Sequence, residues 1–217
     1  MSNRWVCFDV GETFIDETRV WSTWADLLGV TRFTFMAALG AVIAHGDDHR
    51  VVFDLLRRPD WADLYPDFRV AYDGFRREDL YPDAVSSIAA LRSAGYRISV
   101  FANQPAGRTA QLRALGVEPD VMAMSAELGV HKPAAEFYSR ALELMAADAS
   151  DVAYVGDRLD NDVLPSALAG LRPVWLRRGP WGVIPTGEAP VGTLIVDSLT
   201  ELVERIGECW PEDTGER

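Results

Sequence analysis

Residues 152–163 read VAYVGDRLDNDV, and the fold is decided here. Val152–Val155 is a short apolar, β-prone run, too brief for a helix and bounded by Gly156. An acidic loop follows with Asp157, Asp160 and Asp162, and apolar residues resume from Val163 to Ala169 before Gly170. The unit is a strand, an acidic loop at its carboxyl end, and a helix. RWVCFDVGET, residues 4–13, has the same form: the apolar run Arg4–Val10 carries Asp9 near its end and passes into a loop. Between the two lies GVHKPAAEFY, residues 129–138, with Lys132, the single lysine among 21 basic residues. Arg is a planar fork, whereas Lys is a compact, movable point charge, so this one exception calls for a reason. Two Asp clusters and a lysine at three strand ends would form a metal-and-phosphate site.

Working outward, strands and helices alternate over the second half. Pro82 opens a helix through Leu91, Gly95 ends it, and Tyr96–Ala102 is a strand. Helices are predicted near 106–115, 134–145, 163–169 and 199–206, and strands near 121–124, 152–155, 173–176 and 194–196. Such alternation means a parallel sheet with helices on both faces, an α/β Rossmann-like core. Residues 17–79 break the rhythm. Val20–Leu28, Phe33–Ala44 and Val51–Leu56 carry apolar residues at three- and four-residue spacing, so this stretch reads as an inserted helical subdomain, with 1–16 and 80–217 forming the core. In it Trp21, Trp24, Phe33, Phe35 and Trp61 are as suited to a small core as to a substrate pocket. In open parallel sheets ligands bind beyond the carboxyl ends of the strands. Asp9, Asn103, Lys132 and Asp157 all fall there, and the insertion leaves from the same edge, where it serves as a lid.

Composition narrows the rest. The 217 residues carry a net charge of −12, against non-specific nucleic-acid binding and giving no attraction to anionic membranes. Cys7 and Cys209 are far apart, and a buried role for Cys7 fits better than a disulfide. With no secretion signal and no apolar run of membrane-spanning length, the expectation is a cytoplasmic protein. The tail 211–217 reads as disordered.

FDVGET at 8–13, SVFANQ at 99–104, HKP at 131–133 and GDRLDND at 156–162 together resemble the four ordered motifs of the haloacid dehalogenase-like hydrolase superfamily. The insertion stands where that family inserts a cap. The resemblance covers nearly the whole chain and implies a phosphatase acting on a small phosphorylated molecule. It implies Asp9 as the nucleophile that becomes an aspartyl-phosphate. It implies Mg²⁺ held by Asp9, the Gly11 carbonyl and Asp157, with Asp162 a further ligand or the holder of a metal-bound water. Lys132 would offset the charge of nucleophile and phosphoryl group, Asn103 would bind phosphate oxygens, and Thr13 would hydrogen-bond near the nucleophile. Asp160 and Arg158 read as a solvated loop or a helix cap, and Asn161 as a cap of the following helix.

Two positions depart from the family. Its phosphatases place a general acid two residues after the nucleophile, where this chain has Gly11; Glu12 is the nearest substitute, although adjacent side chains usually point apart. Ala102 stands where the family offers a hydroxyl to phosphate. These departures keep open a catalytically impaired protein that binds a phosphorylated ligand or a protein partner, and a metal-independent 2-haloacid dehalogenase. The acidic GDRLDND pattern argues against the latter, which has no metal to hold.

Overall fold

The computed structural model describes residues 4–184 and 187–211; the tail expected to be disordered lies, from 212 onward, outside them. Six parallel strands form one sheet in the order β3-β2-β1-β4-β5-β6. They are β1 Trp5–Phe8, β2 Arg97–Ala102, β3 Val121–Met124, β4 Val152–Gly156, β5 Arg172–Leu176 and β6 Leu194–Val196. The central strand is buried on both faces, and its residues divide by period two. Val6 and Phe8 join one apolar cluster with Val100, Val155 and Val174, whereas Trp5 and Cys7 join another with Phe101 and Tyr154. Among the helices over the first face are α5 (Ala84–Ser93), α6 (Arg108–Ala114) and α11 (Leu199–Arg205), which place Ile88, Leu112 and Leu202 in that cluster. Over the second lies α8 (Ala135–Met145), through Phe137, Tyr138 and Met145. Short helices α7 (Ser125–Leu128), α9 (Leu164–Leu168) and α10 (Gly179–Val183) complete the core. This is a doubly wound α/β fold.

The strand expected over Arg4–Val10 is shorter because the backbone doubles back at once. The amides of Thr13, Phe14 and Ile15 all turn to the Val10 carbonyl, and Glu12 takes a positive φ of 49°. Asp9 therefore sits at a strand tip, with a tight loop folded behind it.

Between β1 and β2 the chain is helical, with α1 Thr18–Leu28, α2 Arg32–His45, α3 Val51–Leu55 and α4 Tyr65–Tyr72. Trp21, Trp24, Ala25 and Leu28 recur at helical spacing on one face of α1 and are buried. Gly29 ends the helix in the left-handed conformation, and the Thr31 side chain caps α2 by accepting from the Thr34 amide. These helices build their own apolar cluster, in which Trp24 stacks on Phe68 with ring centroids 4.4 Å apart; Trp181 from α10 also joins it. Of the aromatics singled out in the sequence, Trp21, Trp24 and Phe35 are buried there and Trp61 packs at its margin. Phe33 is 85% exposed and belongs to no core, because it sits on the outer face of α2. Arg19 ties the two connections of the helical segment together. Its guanidinium bonds Asp79 (Nε to Oδ1, 2.8 Å), the Tyr72 carbonyl (2.6 Å) and the Gly74 carbonyl. Among the described residues no single helix is long and apolar enough to cross a membrane.

Candidate active site

The sheet order reverses direction at β1, which has β2 on one side and β4 on the other, and the crevice of a doubly wound sheet opens at such a point. Phe8 pairs with Val155, and the Asp9 amide donates to the Val155 carbonyl at 2.9 Å. Asp9 and Asp157 thus leave neighbouring strand tips at nearly one level. Asp162 comes from a π-helical turn over Leu159–Val163 that swings its carboxyl back across Gly156. A Cβ on Gly156 would lie only 2.4 Å from Asp162 Cγ, so a side chain there is incompatible with this placement. Carboxylate oxygens of Asp9, Asp157 and Asp162 all lie within 4.8 Å of one another, and all three residues are buried.

Lys132 enters from the loop before α8. Its ammonium donates to Asp9 Oδ1 at 2.7 Å and to Asp162 Oδ1 at 2.5 Å. Burial alone would lower its pKa, but Asp162 and Asp9 outweigh that and hold it well above the usual lysine range. Asp157 is pushed far up by burial and by the charges of Asp162 and Asp9, and its Oδ2 has no hydrogen-bond partner among the described residues. Asp162 rises to about 6, driven by burial and by Asp9, with Lys132 acting in the opposite sense.

The other expected residues take more varied positions. Asn103 lines the cavity, but its amide grips the lysine loop: Nδ2 donates to the Lys132 carbonyl at 2.9 Å, and Oδ1 accepts from the Lys132 amide at 2.8 Å. Thr13 is fully buried away from the cavity, its hydroxyl has no partner among the described residues, and its carbonyl accepts from Arg178 at 3.0 Å. Glu12 is buried with both oxygens engaged, one by the Tyr81 hydroxyl and one by the Glu17 amide. Asp160 is exposed, as expected, although it lies in the π-helical turn rather than in a loop. Arg158, expected in solvent, instead lies on the cavity wall, with its guanidinium paired to Asp160 at 2.7 Å and 5.5 Å from the Trp181 ring centre. Asn161 makes no capping hydrogen bond among the described residues; its carbonyl accepts from the Tyr138 hydroxyl.

A cavity of about 430 Å³ opens over Asp9, Lys132 and Asp157. Its far wall comes from the helical segment, including Trp21, Trp24, His49 and Tyr72. Glu17, at the start of α1, is also on the wall, and the sequence reading passed over it. Burial first, then the charges of Glu12 and Asp9, raise its carboxyl to about 8. A glycine beside the nucleophile and an acid a few residues later in the same loop were the available signal.

A family model for haloacid dehalogenase-like hydrolases matches residues 4–170. The chain belongs to that family. It is 29% identical over 174 residues to a glyceraldehyde 3-phosphate phosphatase of Methanopyrus kandleri, a match that covers 76% of this chain and 75% of that protein. Among solved structures it is similar to YfnB of Bacillus subtilis, a magnesium-bound putative HAD-hydrolase. The TM-score is 0.69 at 20% identity, over 94% of this chain and 98% of that one. A dehalogenase gives a TM-score of 0.68 at 22% identity, over 92% and 95%. These likenesses fix the fold, which phosphatases and dehalogenases share.

Proposed function

We propose that this chain is a Mg²⁺-dependent phosphatase of a small phosphorylated molecule, with Asp9 as its nucleophile. One observation carries the reading: three buried carboxylates converge, two of them on a single ammonium, and an oxygen of the third, Asp157 Oδ2, is without a partner among the described residues. Formally the group keeps two negative charges, which a divalent cation matches. An all-oxygen donor set beside an open cavity suits Mg²⁺, which prefers few carboxylates and keeps places for water and phosphate. Asp9, Asp157 and the Gly11 carbonyl would hold it, with Asp162 at its edge; the ion would supply the positive charge that lets a phosphate approach a carboxylate.

The residues then divide the work. An Asp9 oxygen attacks phosphorus and forms an aspartyl-phosphate, which water later hydrolyses. Lys132 offsets charge on the nucleophile and the phosphoryl group. Asp162 and Asn103 position Lys132 through its ammonium and its backbone. Residues 17–79 act as the cap that closes the cavity, excludes water and chooses the substrate. The absence of strands there and the shared cavity wall support this. The Methanopyrus relative's activity favours a small phosphorylated metabolite as substrate.

A second reading, a catalytically impaired binder of a phosphorylated ligand, is favoured by Gly11 and Ala102, neither of which offers a polar side chain beside Asp9. A screen of acyl, aryl and alkyl phosphates with and without Mg²⁺ separates the two. Turnover that needs Mg²⁺ and vanishes in Asp9→Asn is the expected result. Mg²⁺ should also raise the melting temperature of wild type, and Asp157→Ala should lose that rise. Turnover surviving in Asp9→Asn would refute the covalent route; no turnover on any ester, with phosphate still stabilising the fold, would establish the binder.

A further inference from the structure

Gly11 has no side chain, yet the space in front of it is taken. A Cβ on Gly11 would lie 2.6 Å from Glu17 Oε1 and 3.1 Å from its carboxyl carbon. Real Cβ atoms do not approach that closely, so the Glu17 carboxyl occupies the volume that a side chain at position 11 would fill. The backbone explains how. The loop folds back on the Val10 carbonyl, and the Glu17 amide is pinned to Glu12 Oε1 at 2.9 Å. Glu12 is pinned in turn by Tyr81. This brings the start of α1 against the tip of β1 beside Asp9, inside the same cavity.

Breaking an alkyl ester requires a proton for the departing oxygen, and a positioned acid supplies it. The polar groups near Asp9 are mostly committed. Lys132 is held by two carboxylates, Asn103 by the lysine loop, and Glu12 by Tyr81 and the Glu17 amide. Glu17 forms no ion pair among the described residues.

We propose that Glu17 is the general acid and base of this phosphatase, its carboxyl standing in for the side chain that Gly11 lacks; this rests on the phosphatase reading above. In the first step an Asp9 oxygen bonds phosphorus, the bond from phosphorus to the ester oxygen breaks, and that oxygen keeps the electron pair and takes the Glu17 proton. In the second, the Glu17 carboxylate takes a proton from water as the water oxygen attacks phosphorus. Inorganic phosphate leaves and the Asp9 carboxylate is restored. Glu12 is a positioning residue that acts through the Glu17 backbone.

The test uses the full chain with Mg²⁺, and compares propyl phosphate, whose leaving group needs a proton, with p-nitrophenyl phosphate, whose leaving group does not. Glu17→Gln should lower kcat on propyl phosphate by about 10²–10⁴-fold and on p-nitrophenyl phosphate by less than about tenfold. Gly11→Asp alone should not raise the propyl rate, because the new side chain meets Glu17. Gly11→Asp combined with Glu17→Ala should recover much of the propyl rate that Glu17→Ala loses. Equal losses on the two esters, no loss on either, or a selective propyl loss in His49→Gln but not in Glu17→Gln would each overturn the proposal while leaving the phosphatase reading in place. A wild type inactive on both esters, and on acetyl phosphate, would overturn the two together.

Discussion

The ammonium of Lys132 lies between two buried carboxylates that would otherwise face each other. Truncating one partner of a buried charged pair typically costs about 3–5 kcal/mol, since it strands the other charge. Lys132→Met should therefore lose stability on that order at pH 8 in the absence of divalent cations. Much of the loss should return at pH 5: Asp162 is raised to about 6 even with Lys132 lowering it, and without the ammonium it rises further, so the buried acid takes up its proton. Thermal melts of both proteins across this range check it, and a pH-independent deficit would mean that packing rather than charge dominates. Lys132→Arg should not rescue activity, because a planar fork cannot occupy the place of a compact ammonium. At this scale much of the site was legible from the residues. Asp9, Asp157, Asp162 and Lys132 meet as their motifs suggested. Asn103 and Thr13 were harder to place, because a side chain's partner depends on loops distant in the chain: the Asn103 amide is claimed by a peptide 29 residues away. Glu17 was hard to single out for the same reason: Gly11 followed by an acid six residues on was the only hint. Its proximity to Gly11 arises from a loop that closes on itself, and no periodicity records such a closure.

Among the elements, strand and helix junctions carried most of the information. Short apolar runs marked β3 and β6 as the structure has them, and apolar periodicity set α1, α5 and α8 to within a few residues. The pattern failed on short or mixed pieces. The helix Tyr65–Tyr72 begins with a Tyr-Pro pair and carries few apolar residues on one side, and Gly179–Val183 looks like a turn, yet the latter sends Trp181 into the cluster of the helical segment. The π-helical turn at Leu159–Val163 also has no sequence signature, although it alone returns Asp162 to the site. Gly156 is what permits that return. Gly156→Ala would place a methyl 2.4–2.6 Å from three atoms of the Asp162 side chain, so Asp162 must move. Overpacking of this kind costs about 1–3 kcal/mol. The variant should melt lower than wild type and lose the pairing of Asp162 with Lys132. Mg²⁺-dependent stabilisation should weaken with it. An unchanged melt and an unchanged Mg²⁺ response would show that the turn adapts freely.

At the scale of the whole molecule, two apolar clusters meet across one cavity, and the chain passes between them twice. Arg19 holds the outgoing and returning passages together through Asp79 and the Tyr72 and Gly74 carbonyls, close to the bond from the Asp16 amide to the Asp79 carbonyl at 2.8 Å, so the two connections of the helical segment are tied to each other. The acid proposed for catalysis lies two residues before Arg19. The composition of the whole chain has a further consequence. Every cationic side chain on the outside is arginine or histidine, and the only lysine is 2% exposed. Amine-directed reagents consequently find no lysine side chain on the surface of the folded protein. Lysine-directed coupling to activated esters, lysine cross-linking and enzymatic acylation of lysine all lack a target there. Mass mapping after brief acylation should leave the Lys132 peptide unmodified in native buffer, and modification should rise with urea along the unfolding transition. The same residue thus makes the chain its own gauge of opening: acylation of Lys132 before global unfolding would report that the site exposes itself by a smaller, local motion.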